Sequence, residues 1–125
     1  MRRNADLIPQ KEGRDARIKA EIKRLNGILK DLPKATKSAA KSLIDNAAFM
    51  AITLEDLQNH INEHGCTTEY QNGENQWGTK KSPEVDIHIA MTKNHTAVMK
   101  QLADLLPKQE PKAEADDFDE FVNEK

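Results

Sequence analysis

The apolar positions of the chain fall into three runs with helical spacing. In the first run they recur in alternating steps of four and three, which places them along one side of a helix. The members of this run are Ile18, Ile22, Leu25, Leu29 and Leu32. Leu32 precedes Pro33, and a residue before proline disfavours the helical conformation. The sequence therefore predicts a helix from Arg14 to Leu32.

The second run predicts one long helix from about Thr36 to His64. Gly65 follows as a plausible stop, because glycine readily adopts the backbone conformation that ends a helix. A new start near Thr53 is the alternative, with Asp56 completing a capping motif. The apolar phase continues through Thr53, which favours a single helix. Five alanines on it are small enough to allow close approach of another helix, and these are Ala39, Ala40, Ala47, Ala48 and Ala51.

The third run predicts a helix that begins at Ser82-Pro83 and ends before Pro107. Serine and proline are preferred at the N-cap and first helical positions, and Asp86 adds favourable negative charge in the first turn. The apolar residues of this helix cover more than one face. This distribution indicates burial on two sides.

The segment before the third helix is predicted to be a loop, with turns at Asn72-Gly73 and Trp77-Gly78. It holds the chain's only Tyr, Tyr70, and its only Trp, Trp77. Both are large, rigid side chains with one polar group. We interpret them as anchors that pack the loop on the helices or on a neighbouring molecule. Stacking on nucleic-acid bases is the alternative.

These patterns predict an all-α protein: a basic N-terminal helix, a long central helix, a loop and a third helix. Residues 1–13 have no periodicity and are predicted to be a flexible arm. Residues 14–107 form the predicted helical domain. Residues 108–125 form a predicted acidic tail.

Composition supports one compact domain with a thin core. The chain has 125 residues, of which 37% are hydrophobic and 32% are charged. This balance favours amphipathic helices that pack against each other or against neighbouring subunits. No apolar run approaches the ~20 residues that cross a bilayer, and the N-terminus lacks the apolar region of a secretory signal. A single cysteine, Cys66, cannot form an internal disulfide, so we expect a reducing cytoplasm.

Charge is divided unevenly along the chain. Residues 1–41 hold twelve Lys or Arg and five acids, whereas residues 42–125 hold seven bases and sixteen acids. Cations outside the first apolar stripe suit the phosphate backbone of DNA; a solvated helix face is the alternative. Two further lysines precede the third helix. The predicted DNA-binding residues are Arg14, Arg17, Lys19, Lys23, Arg24, Lys30, Lys34, Lys80 and Lys81.

Catalytic and metal-binding signatures are weak. His60 and His64 stand four residues apart, so both could face one metal ion, and Cys66 follows closely. Ile61 occupies the position where a zinc-protease motif needs Glu. Histidines near a helix C-terminus are also explained by the helix dipole. With no phosphate-binding loop and no nucleophile motif, we expect neither enzymatic activity nor a cofactor.

The last residues combine acids with apolar side chains. Phe118, Phe121 and Val122 lie among four acids in "DDFDEFV". Their spacing would place them on one face of a helix formed on a partner, and the acids would steer this segment toward a basic surface. A solubilising acidic end is the alternative.

Two longer stretches resemble a known family. The stretch "YQNGENQWGTKKSPE", followed by "MTKNHTAVMKQLADLLPK", resembles the small subunit of phage terminases from tailed phages and prophages of Gram-positive bacteria. The resemblance covers about residues 34–108. It implies viral genome packaging, in which a homo-oligomeric ring binds double-stranded phage DNA.

The resemblance also implies a partner and a location. The ring presents DNA to the large terminase subunit, which carries the ATPase and nuclease activities, in the host cytoplasm rather than in the mature virion. We expect Phe118, Phe121 and Val122 to bind that subunit. The rival hypothesis is a helical protein-interaction or assembly factor that does not bind nucleic acid.

Overall fold

The computed structural model describes residues 11–107, which are 73% helical and include one small two-stranded sheet. In chain order the elements are α1 (Lys11–Ile28), α2 (Lys34–Ala39), α3 (Lys41–His64), β1 (Thr67–Gln71), β2 (Trp77–Lys81) and α4 (Pro83–Leu105). The predicted helical architecture is confirmed. The prediction of a loop before the last helix is corrected, because this segment forms a β-hairpin between the helices.

Helix α1 uses the predicted apolar seam. Leu25 and Leu29 are buried, and Ile18, Ile22 and Leu32 pack around them. The helix is shifted toward the N-terminus relative to the prediction, beginning at Lys11 and ending at Ile28. Beyond Ile28, tighter turns take over, as in the hydrogen bond from Leu32 N to Leu29 O. Pro33 disfavours helical geometry at Leu32 and so keeps α1 from continuing into the next helix.

The predicted central helix is divided at Ala40, not at Thr53. Helix α3 continues without interruption through Thr53 to His64, and Gly65 ends it with a φ of 83° as predicted. Short α2 precedes it and begins directly after Pro33, whose fixed φ suits a helix start. Ala40 is 2% exposed, so the break between α2 and α3 lies inside the core.

The β-hairpin is antiparallel, with Tyr70 opposite Gly78 and Gln71 opposite Trp77. Its turn spans Asn72 to Gln76, closed by a 2.7 Å hydrogen bond from Asn72 N to Gln76 O. The predicted turn at Asn72-Gly73 is confirmed, and Gly73 has a φ of 146° that few other residues adopt. The turn predicted at Trp77-Gly78 is wrong, because both residues lie in strand β2.

Helix α4 starts and stops where the sequence indicated. Ser82 holds the N-cap position and Pro83 the first helical position, and the chain becomes extended at Leu106 before Pro107. The Ser82 hydroxyl donates to the Glu84 carboxylate rather than to a backbone N–H. Antiparallel packing of α4 on α3 follows from the hairpin that joins their ends.

The core lies around α3, which packs against both α1 and α4. Three alanines provide the predicted close approach: Ala40, just before α3, is 2% exposed, and Ala47 and Ala48 of α3 are fully buried. Leu102 of α4 joins Leu25 of α1 in the same cluster. Each such leucine contributes about 2–5 kcal/mol against truncation to Ala.

Burial of α4 on two sides is not seen within the described chain. Its C-terminal half packs on the core, whereas Ile87 and Ile89 remain 47% and 59% exposed. Residues 11–13, expected to belong to the arm, are helical. Residues 1–10 and the predicted acidic tail lie outside the described residues. Within 11–107, every helix is too short or too polar to cross a bilayer.

Candidate nucleic-acid interface

The two arginines at the start of α1 face α3 and are already bound to acids. Arg14 donates to the Asp56 carboxylate and, at 2.8 Å, to the Thr53 hydroxyl. Arg17 donates to Asp56 at 2.7 Å and to Glu55 at 2.8 Å. The Asp56 side chain is only 8% exposed. These contacts hold α1 on α3, so neither guanidinium is free to meet a phosphate group.

These contacts change the pKa of Arg17. Hydrogen bonds to Asp56 and then Glu55 raise its pKa further above the ordinary value. The Arg14 guanidinium also lies 5.6 Å from the centre of the Phe49 ring, a favourable cation–π distance. The cluster is therefore structural, and the positions of Arg14 and Arg17 in the basic segment gave no sign of it.

Two more of the predicted cations are paired locally. Arg24 binds Glu21 with both contacts at 2.7 Å, which raises the pKa of Arg24 and lowers that of Glu21. Lys81 lies 2.8 Å from Asp86 in the first turn of α4. These pairs are solvent-exposed, so exchange with a DNA phosphate would cost little.

Lys80 is near an aromatic ring rather than a carboxylate. Its Nζ lies 5.9 Å from the centre of the Tyr70 ring on the opposite strand. The hairpin thus places Lys80, Tyr70 and Trp77 on one small projection. Lys80 and Lys81 lie at the N-terminal end of α4, whereas the C-terminal half of α1 packs near the other end of α4.

Besides Lys80 of the hairpin, four predicted lysines are exposed without an ion pair among residues 11–107: Lys19, Lys23, Lys30 and Lys34. Lys19 and Lys23 are one helical turn apart, and Asn26 follows on the same face. Asn26 and Lys30 line a cleft of about 610 Å³ between the end of α1 and the start of α2 and α3. The free lysines therefore form a row that leads into this cleft.

The structure adds two lysines to this surface that the predicted set lacks. Lys37 and Lys41 line the same cleft as Lys30 and Lys34. Lys41 lies 2.8 Å from Asp45, whereas Lys37 has no ion pair in the part of the chain described. The spacing of Lys34, Lys37 and Lys41, three and four residues apart, was the available signal. This spacing indicates a binding surface only when the packing of α1 beside the three lysines is known.

The two aromatic residues of the hairpin have different environments. The Tyr70 ring lies directly over Gly78, where an added Cβ would come within 2.8 Å of it. Tyr70 therefore packs within the hairpin and stabilises it. Trp77 is 65% exposed, whereas Tyr70 is 42% exposed. Of the two predicted anchors, Trp77 offers the larger exposed fraction to a neighbour or a nucleic-acid base.

The histidines meet at the junction of α3, the hairpin and α4. The His60 and His64 rings are 4.6 Å apart, and His60 Nε2 lies 3.9 Å from Glu84 Oε1. The Ser82 hydroxyl, followed by the Glu84 backbone N–H and the two histidines, lowers the pKa of Glu84. Cys66 is exposed. Among residues 11–107, no group of three His, Cys, Asp or Glu side chains is arranged to hold a metal ion.

The predicted partner-binding residues Phe118, Phe121 and Val122 lie outside the described residues. Comparison of the chain with protein-family models, curated proteins and solved structures gives no match. The assignment of the candidate interface therefore rests on its exposed lysines and on the cleft between α1, α2 and α3.

Proposed function

We propose that this protein is the small subunit of a phage terminase, which binds double-stranded viral DNA and delivers it to the large subunit for packaging. The observation that carries the proposal is the row of lysines along α1 and into the cleft that have no carboxylate partner among residues 11–107. Such exposed ammonium groups suit a phosphate backbone, since binding releases the counterions of the DNA. The resemblance of residues 34–108 to terminase small subunits supplies the biological context.

The proposal revises which cations contact DNA. Lys19, Lys23, Lys30 and Lys34 remain candidates, and Lys37 joins them. Arg14 and Arg17 do not, because α3 already neutralises them. Contacts of this kind go to phosphates rather than base edges, so binding through this surface depends on salt and tolerates many sequences.

Ring formation is the second part of the proposal. Ile87 and Ile89 of α4, Phe49 of α3 and Trp77 of the hairpin are large side chains left 47–65% exposed. Neighbouring copies of the chain would cover these surfaces. The rival function, protein assembly without nucleic acid, draws on the same exposed residues but gives no role to the lysine row.

Charge reversal of the lysine row tests the DNA-binding role. Binding of Lys23→Glu/Lys30→Glu to duplex DNA is measured by fluorescence anisotropy across salt concentrations. We expect weaker binding to all duplex sequences, with a slope against log salt reduced by about two. Lys93→Glu/Lys100→Glu changes the net charge equally on exposed positions of α4 and should retain the native slope.

Two results would contradict the proposal. One is that the unmodified chain has no measurable affinity for duplex DNA at low salt. The other is that both double variants lose affinity equally, because net charge rather than the lysine row would then explain binding. Arg17→Glu is unsuitable for this test, since it would break the attachment of α1 to α3.

A further inference from the structure

The lysine cleft combines a charged rim with an apolar floor. Lys30, Lys34, Lys37 and Lys41 surround it, while Ile22, Leu32 and Ile44 contribute apolar surface inside it. Of the four lysines, only Lys41 has a carboxylate partner among residues 11–107. Several like charges around one cleft repel each other, so an anionic occupant would be stabilised. The apolar floor further favours an occupant with hydrophobic side chains.

The chain itself carries a segment with this chemistry. Residues 116–122 read "DDFDEFV", with four acids and two phenylalanines in seven residues. Asp45 also lines the cleft and neutralises Lys41, which leaves three rim lysines without a partner among residues 11–107. The acids of the segment match these three lysines, and Phe118 and Phe121 match the apolar floor. DNA also carries negative charge, but it has no apolar side chain. The apolar floor of the cleft therefore favours residues 116–122 over DNA.

The point where the described chain ends makes the contact reachable. Leu106 packs with Leu25 and Leu29 of α1, so the backbone reaches Pro107 beside the C-terminal half of that helix. Lys30, on the rim of the cleft, directly follows Leu29. The eight residues 108–115 can span up to about 28 Å when extended. They contain two lysines and two glutamates, so they add no net charge.

We propose that residues 116–122 dock in the lysine cleft of the same chain and compete there with anionic ligands. A tether of eight residues gives an effective concentration of about 1 mM. An intrinsic Kd of about 0.1 mM would then fill the cleft in about nine molecules of ten. In the part that concerns DNA, the inference rests on the proposed function: the tail would weaken DNA binding by about tenfold.

Zero-length carbodiimide cross-linking of the full chain tests the docking directly. This reagent joins a carboxylate to a lysine amine in contact with it, and mass spectrometry locates the pairs. We expect cross-links from residues 116–120 mainly to the cleft lysines. Mixing unlabelled and ¹⁵N-labelled chains should show that both ends belong to one molecule.

Two full-length variants test the chemistry of the contact. Phe118→Ala/Phe121→Ala leaves the charge unchanged and should reduce the cross-links several-fold. Glu110→Gln/Glu114→Gln alters acids of the tether and should leave them unchanged. Cross-links spread evenly over surface lysines, or insensitive to the Phe substitutions, would overturn the proposal. Cross-links formed only between chains would overturn the same-chain assignment.

A DNA titration tests the competition separately. Phe118→Ala/Phe121→Ala should bind duplex DNA about tenfold more tightly than the native chain, although its net charge is the same. Unchanged affinity would overturn the competition. If no form binds DNA, the proposed function fails, while the cross-links still decide whether the tail docks.

Discussion

At the scale of single residues, the partner of a charged side chain determines its role. Asp56, 8% exposed, accepts from both Arg14 and Arg17, and the three groups join α1 to α3. Partly buried ions are stable only with their partners, because removing one leaves the others desolvated and unpaired. Arg14 and Arg17 consequently contribute to stability, and the lysines that are unpaired among residues 11–107 remain for ligands.

Asp56→Asn is expected to destabilise the fold by about 2–3 kcal/mol, because it leaves two guanidiniums facing each other without a full counter-charge. Urea unfolding followed by circular dichroism would measure the loss. Asp45→Asn is the matched control: it removes an exposed pair with Lys41 and should cost about 0.5 kcal/mol or less. Equal losses in both variants would show that the Asp56 cluster does not hold α1.

The lowered pKa values of two glutamates predict how the stability of the protein depends on pH. The hydrogen bond from Arg24 lowers the pKa of Glu21, and that from Ser82 lowers the pKa of Glu84, each below an ordinary value of 4.5. A depressed folded-state pKa stabilises the protein above the unfolded-state value. This stabilisation is lost as the pH falls through about 4.5 toward the lower folded-state pKa values.

Urea midpoints measured between pH 7 and pH 3 should therefore fall most steeply below about pH 4.5. Glu21→Gln should flatten part of that fall, because the variant has no proton to gain at this position. Glu12→Gln, at an exposed position in the first turn of α1, serves as the control. An equally steep fall in the Glu21 variant would show that Arg24 does not stabilise its ionised form.

At the scale of elements, the hairpin depends on one aromatic–glycine pair. Its strands have every residue exposed except Gly78, so little burial holds them together. Tyr70 covers Gly78 across the ladder and supplies the main side-chain contact. This pairing compensates for the poor strand propensity of glycine and fixes the register.

Gly78→Val should displace the Tyr70 ring and open the hairpin without unfolding the helices. We expect amide hydrogen exchange in β1 to accelerate about five- to thirty-fold, as for a local loss of 1–2 kcal/mol. The far-ultraviolet helical signal should stay unchanged. Thr79→Val, at the neighbouring exposed position, is the control. If protection in β1 persists in the Gly78 variant, the Tyr70 contact does not hold the hairpin.

At the scale of the whole molecule, residues 11–107 form a small hydrophobic core around one central helix, α3. Only nine hydrophobic residues among 11–107 form the buried core, while Ile87, Ile89 and Trp77 stay exposed. Ile87 and Ile89 lie on different sides of α4, and neighbouring copies in the proposed ring would cover them. Association of copies through these surfaces would complete the burial that the single chain leaves undone.

Light scattering should therefore give a mass well above the 14.1 kDa of one chain at micromolar concentration. Ile87→Asp/Ile89→Asp should shift the protein toward monomer, because buried carboxylates at an interface are unfavourable. Thr92→Asp/Thr96→Asp changes the charge equally at exposed positions of α4. A monomeric native chain would refute self-association, and an unaffected oligomer in the isoleucine variant would move its interface elsewhere.

Much of the helical architecture could be predicted because its signals are local. The apolar steps along α1, the Gly65 stop and the Ser82-Pro83 start each act within one or two turns, so neighbouring residues contain the information. The hairpin was missed because its strands lack an alternating apolar face. Asn72-Gly73, the pair most typical of a hairpin turn, was its one clear sign.

The candidate site was less predictable, since it depends on residues far apart in sequence. The amino-acid sequence by itself determined the three helical runs, the Gly65 stop, the Ser82-Pro83 start and the basic character of the N-terminal third. Only the tertiary structure decided which cations are free: Asp56 lies 42 residues from Arg14, and no local pattern pairs them. The break at Ala40 and the packing of α1 on α3 likewise bring Lys30 beside Lys37. Local sequence fixes helical faces, whereas packing in three dimensions determines which faces meet.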